Sequence, residues 1–143
     1  MEDPDTLVAP EHLGWLIKRI QHAHHRALDA ALSCQGVSLV QWNALREIER
    51  NPGCSQHQLA ERTFNSDQSF GALLTRLEAA RLIQRSATIG RSRLPQLTPE
   101  GTVQLRKGHK VMSKVVGASF NALDNDERHT LSVLLTKVLA TRM

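Results

Sequence analysis

Apolar residues recur at three- and four-residue spacing through most of the chain, and the places where that rhythm fails mark its joints. Leu13, Leu16, Ile17, Ile20, Ala23, Ala27, Leu28 and Ala31 form one stripe of a helix of about six turns. Pro10 suits its first turn, where a missing N–H has no intrahelical partner to lose, and the helix ends near Ser33 to Gly36. Ser38 caps a second helix with Val40, Trp42, Ala44, Leu45 and Ile48 inward, which Asn51-Pro52-Gly53 breaks. Ser55 caps a third, short helix with Leu59 and Ala60 inward, Thr63 to Asn65 turn the chain, and Ser66 opens a fourth that reaches Arg81. In that fourth helix Phe70, Leu73, Leu74 and Leu77 share one face, while Asp67, Gln68, Ser69, Ala72, Thr75 and Arg76 occupy much of the rest.

Beyond Arg81 the period changes. Leu82 to Arg85 and Leu94 to Leu97 are short enough to pair as strands around a loop that Gly90 lets turn, and Pro95, which cannot donate to a ladder, makes its strand an edge or an irregular one. Thr98 then caps a helix with Pro99 in its first turn, carrying Val103, Leu105, Val111, Met112, Val115 and Val116 as far as Phe120. Asp124 and Glu127 have the spacing of a capping box, and the last helix holds Leu131, Val133, Leu134, Leu135, Val138 and Leu139. Three helices in close succession followed by a hairpin predict a mainly α fold, a winged helix-turn-helix core with a two-stranded wing. Residues 1–143 read as a single domain, with 38–97 as the DNA-binding unit and 9–33 and 99–142 as flanking N- and C-terminal dimerisation helices.

Composition narrows the class. Hydrophobic residues make up 41% of the chain but aromatics only 3%, with no Tyr, so the core must be mostly Leu, Val, Ile and Ala, which suits packed helices. No apolar run approaches the roughly 18 residues of a membrane span, and Met1 to Asp5 is acidic rather than laid out as a secretory signal. These features place the chain in the cytoplasm, with no membrane partner. Two cysteines make no disulfide framework in a chain of this size and fit a reducing compartment.

Charge is concentrated where the fourth helix and the hairpin lie. Residues 1–60 hold 5 basic and 7 acidic side chains, residues 61–110 hold 9 and 4, and residues 111–143 hold 4 and 3. Between Arg81 and Arg93 stand four arginines and no acid, and guanidinium groups there can bridge phosphates or enter a narrow minor groove. A helix with a small, polar N-terminal flank behind a preceding helix meets the steric demand of the major groove. Ser66, Gln68 and Ser69 are the expected base-edge contacts, with Asp67 and Ala72 on the same flank and Thr75 and Arg76 nearer the phosphates. Ser55, opening the preceding helix, and Arg91 and Arg93, in the wing, complete the set. The terminal helices carry more apolar surface than the central unit needs, so a homodimer about a two-fold axis is expected. Two readers about one helical turn apart, roughly 34 to 36 Å, would require a near-palindromic operator in double-stranded DNA.

Leu59-Ala60, Leu77-Glu78, the step Arg81-Leu82-Ile83-Gln84-Arg85 and Leu97-Thr98-Pro99-Glu100-Gly101, taken as an ordered set, resemble the MarR-type winged helix-turn-helix regulators. The resemblance implies a homodimer held by the first and last helices, a recognition helix at Ser66 to Arg81, and promoter control by occlusion or, less often, activation. It also implies release by a small, often aromatic, effector bound near the dimer interface, or by oxidation of a cysteine. Two positions depart from the family pattern. Ile89 stands where an Asp commonly steadies the wing through its Arg, here Arg91, and Arg81 stands where Gly usually precedes the Leu-Ile step. A looser or shorter wing is therefore expected, and Arg81 must avoid or tolerate a left-handed conformation.

Other chemistry is weaker. His22 and His25 lie one turn apart, an allowed metal-ligand spacing, but no acid or cysteine stands near them; histidines at a partly exposed interface are expected instead, and no metal. Cys54 and Cys34 read as small buried or half-buried thiols, since redox-sensing relatives place their cysteine early in the first helix. Trp15, Trp42 and Phe120 are candidates to line an effector pocket. No catalytic residues, cofactor or enzyme activity are expected, because no nucleophile–base set, phosphate-cradling loop or carboxylate pair appears in recognisable context. Two classes remain. One is a homodimeric DNA-binding repressor released by a small-molecule effector or, as a variant of it, a cysteine-based redox-sensing regulator; the other is a winged-helix interaction module that turns its basic face to protein or RNA.

Overall fold

The structure, a computed structural model, describes residues 7–86 and 94–141. These form α1 (Pro10–Ser33), α2 (Leu39–Arg50), α3 (Gln56–Arg62), α4 (Asp67–Ala79), β1 (Ile83–Ser86), β2 (Leu94–Leu97), α5 (Pro99–Ser119) and α6 (Asn125–Leu139). Arg91 and Arg93, and the family departure at Ile89, lie outside the described residues.

Local chemistry sets the helix starts. Ser38, Ser55 and Asp124 each close a reciprocal capping box, with Gln41, Gln58 and Glu127 respectively. Ser66 and Thr98 accept from the N–H groups of Ser69 and Gly101. Each such cap is worth on the order of 1 kcal/mol.

The core lies where α2, α3, α4 and β1 meet the last turns of α1 and the first half of α5, around Leu32, Trp42, Leu45, Leu59, Phe70, Leu74, Leu77, Ile83 and Leu105. Trp42 is its largest member: its indole N–H donates to the Leu105 carbonyl at 3.2 Å and its ring meets His109 edge-on at 5.1 Å. Two glycines let α5 come this close. A Cβ at Gly108 would overlap the Trp42 indole, and one at Gly101 would overlap the Leu82 carbonyl. Polar ties hold the same packing: Asp29 of α1 accepts from the Leu39 N–H at 2.8 Å, the Gln104 amide donates to the Gln35 carbonyl, and Arg106 forms two 3.0 Å bonds to Glu49. The helix-turn-helix core is thus completed by α1 and α5.

Val40 departs from expectation. It is 41% exposed, because Leu39, three residues before Trp42, takes the inward position and Val40 falls well round the helix. The first strand begins at Ile83, one residue later than expected, since the Leu82 N–H is already bonded to the Leu77 carbonyl at the end of α4. The two strands pair antiparallel, Ile83 with Leu97 and Arg85 with Pro95, and Pro95 is tolerated because each strand of a pair has an outer edge.

Both helices of the helix-turn-helix end alike. After α3, Phe64 N–H bonds the Glu61 carbonyl and Asn65 N–H the Ala60 carbonyl; after α4, Arg81 N–H bonds Glu78 and Leu82 N–H bonds Leu77. These are paired Schellman closures, and each puts a non-glycine residue in the left-handed region, Phe64 at φ 58° and Arg81 at φ 60°. For an L residue that costs about 1 kcal/mol or somewhat more. Arg81 therefore adopts the conformation that the usual glycine would.

Candidate nucleic-acid interface

Ser66, Asp67, Gln68, Ser69, Ala72, Thr75 and Arg76 are all exposed, while Phe70, Leu73, Leu74 and Leu77 are buried against the core. One face of α4 anchors it, and these polar side chains lie on the other, solvent-exposed face.

The exposed side chains are not equally available. The side chains of Gln68 and Arg76 are exposed and make no hydrogen bond to another of the described residues. Ser66 uses its oxygen as the cap of α4, at 3.1 Å from the Ser69 N–H, and keeps its O–H to donate. Thr75 is occupied twice, donating to the Gly71 carbonyl at 3.1 Å and accepting from Arg85 at 3.4 Å. Arg85 also pairs with Glu78 at 3.3 Å, so β1 is strapped to the solvent side of α4. Ser55 is half-buried and committed to its capping box, with its oxygen 3.2 Å from the Gln58 N–H.

His57 was not among the sequence candidates. From α3 it holds Asp67 across the turn, Nδ1 lying 2.8 and 3.0 Å from the two carboxylate oxygens, while Nε2 lies 3.2 Å from Glu61. The Asp67 hydrogen bond and charge, with Glu61 adding to them, raise the His57 pKa above the usual histidine value. The one acid on the reading flank therefore has a cation beside it whenever His57 is protonated. The sequence signal was faint: His57 and Glu61 are one helical turn apart, but Asp67 joins them only through the turn.

The three aromatic pocket candidates do not share a lining. Trp42 is sealed in the core, Trp15 is 54% exposed on α1 with Lys18 beside its ring, and Phe120 alone borders an open groove of about 500 Å³. That groove lies between the end of α5 and α6, with Val116, Arg128, Leu131, Leu135 and Leu139 among its walls. His24 of α1 reaches its rim, bonding Ser119 at 2.7 Å and meeting Phe120 edge-on at 5.7 Å. His22 and His25 are exposed on α1. Cys54 is half-buried against the core, but Cys34 is exposed, contrary to expectation, because α1 has ended there and its thiol turns back to the Ala30 carbonyl. No helix among the described residues is long and apolar enough to cross a membrane.

Comparison with known proteins agrees with this architecture. Residues 35–93 match the profile of the MarR family. The HTH-type transcriptional repressor Rv2887 of Mycobacterium tuberculosis is 30% identical over 102 residues, spanning 70% of this chain and 73% of the repressor. The crystal structure of Rv2887 with p-aminosalicylic acid superposes with a TM-score of 0.78 at 26% identity, covering 92% of this chain and 100% of that one. The fold also matches that of Rv2887 in complex with DNA, at a TM-score of 0.76 and 24% identity over 94% of this chain and 100% of that one. Helix for helix, and through the two-stranded wing, this chain belongs to the MarR family of transcriptional regulators.

Proposed function

We propose that the protein is a homodimeric, sequence-specific repressor that lays α4 of each protomer in the major groove of a near-palindromic operator. The observation that carries this reading is the solvent-exposed polar flank from Ser66 to Arg76 on a helix anchored by its opposite face. In the proposal Gln68 makes the principal base contact, with Ser66 and Ser69 beside it, and Arg76 meets phosphates together with Arg91 and Arg93 of the wing. Thr75 serves by fixing α4 to β1 through Arg85, and Ser55 by fixing the start of α3.

Apolar residues left uncovered at both ends of the chain support the dimer: Leu13, Leu16, Ile17 and Ile20 on α1, and Val133, Leu134, Val138 and Leu139 on α6. α6 has no buried residue, so its apolar face needs a second chain. Rv2887 has been crystallised with p-aminosalicylic acid, with salicylic acid and with DNA. By analogy, a small aromatic molecule is the proposed effector here, and the groove beside Phe120 is the surface proposed for it. The protein acts by binding rather than catalysis and works in the cytoplasm, where its DNA is.

The test is a fluorescence anisotropy titration against the intergenic DNA upstream of its own gene and against a scrambled duplex of the same length. Affinity at least a hundredfold higher for the native sequence, lost progressively as salt rises, supports the reading. Equal affinity for both duplexes, or tighter binding to RNA, refutes it.

A further inference from the structure

Phe64 is 96% exposed, the most exposed large apolar side chain among the described residues, and sits at φ 58°, where glycine would incur no steric cost. It is one of only five aromatic residues in the chain, and it packs on nothing. Neither folding nor local geometry explains a ring at this position. The backbone that presents it is nonetheless well fixed. Phe64 and Asn65 N–H groups bond the Glu61 and Ala60 carbonyls at 3.2 and 2.9 Å, and the Asn65 amide bonds both the carbonyl and the hydroxyl of Thr63. The ring is held out at a set place, two residues before Ser66, the cap of α4.

We propose that Phe64 is a DNA contact, its ring lying against the apolar edge of the duplex beside the groove that α4 enters. This inference rests on the α4 reading above. Continuity decides the occupant: Phe64 adjoins Ser66, Asp67, Gln68 and Ser69, whereas the apolar residues that suit a second protomer lie on α1 and α6. A duplex offers an aromatic ring two apolar surfaces at that edge, the thymine methyl group and the deoxyribose face.

Phe64→Gly tests it cleanly, because glycine fits the left-handed turn and the variant should fold at least as well as the parent. We expect its Tm to rise by a few degrees while its affinity for the upstream duplex falls about tenfold. Phe64→Leu, which keeps apolar bulk, should lose less. Repeating the titration with deoxyuridine in place of thymine distinguishes the two surfaces. A Phe64→Gly penalty that disappears on the uracil duplex assigns the thymine methyl; one that persists assigns the sugar. Wild-type binding with Phe64→Gly unchanged within twofold overturns this inference alone. Failure of the wild type to discriminate the upstream duplex overturns the α4 reading, and this with it. A Phe64→Gly variant that instead changes its sedimentation overturns it in favour of a protein contact.

Discussion

His57 ties the two helices of the reader together through a carboxylate on each side of its ring, and this makes one region of the protein sensitive to protons. Its folded-state pKa is raised, so the stabilisation is complete below the unfolded value of about 6.5 and is lost as pH rises through the higher folded value. The pair is solvent-exposed, so the effect is small. Melting temperatures of wild type and His57→Gln should differ most at about pH 5.5 to 6, with the gap narrowing as pH rises through the raised folded-state value; a gap that widens with pH would contradict the assigned partners. Gln68 behaves differently. Gln68→Ala should leave Tm unchanged and weaken specific binding by about 1–3 kcal/mol, with little change on scrambled DNA. The polar flank was legible in the sequence because helical periodicity alone separates Gln68 and Arg76 from Phe70 and Leu77. The His57–Asp67 bond was not, since ten residues and a turn intervene and no periodicity spans them.

At the scale of elements, the helix starts were the most legible features, because Ser38, Ser55, Ser66, Thr98 and Asp124 each announce a cap and the apolar period follows at once. The ends were harder to read. Glycine usually marks a left-handed closure, and here Phe64 and Arg81 take that place, so the boundary of β1 slipped by one residue. Val40 lies off the buried face for a separate reason: Leu39 begins that face directly after the cap. Arg81→Gly should relieve the turn after α4 and raise stability by about 1 kcal/mol, read as a higher urea midpoint. Gly108→Ala should do the reverse, since its methyl group meets the Trp42 indole; a loss of about 1–3 kcal/mol is expected, with altered Trp fluorescence. A Gly108→Ala protein as stable as the parent would mean that α5 does not lie as close to α2 as described.

For the molecule as a whole, α1 and α6 leave apolar faces open that only a second protomer is proposed to cover. Ile20→Glu should therefore shift the protein towards monomer in sedimentation at micromolar concentration and weaken binding to a two-site operator far more than to a single half-site. The division of apolar residues between core and interface was not readable from the sequence. The stripe from Leu13 to Ala31 is continuous, yet only Leu28 and Leu32 of α1 are buried within one chain. The central claim is that two copies of α4 enter the same face of one duplex together. Hydroxyl-radical footprinting of the upstream DNA tests it most directly. Two symmetric protected segments whose centres lie about one helical turn, roughly 10 base pairs, apart are predicted, both lost when Gln68 and Arg76 are replaced by alanine. A single protected segment, or a pair unaffected by those substitutions, would contradict the account.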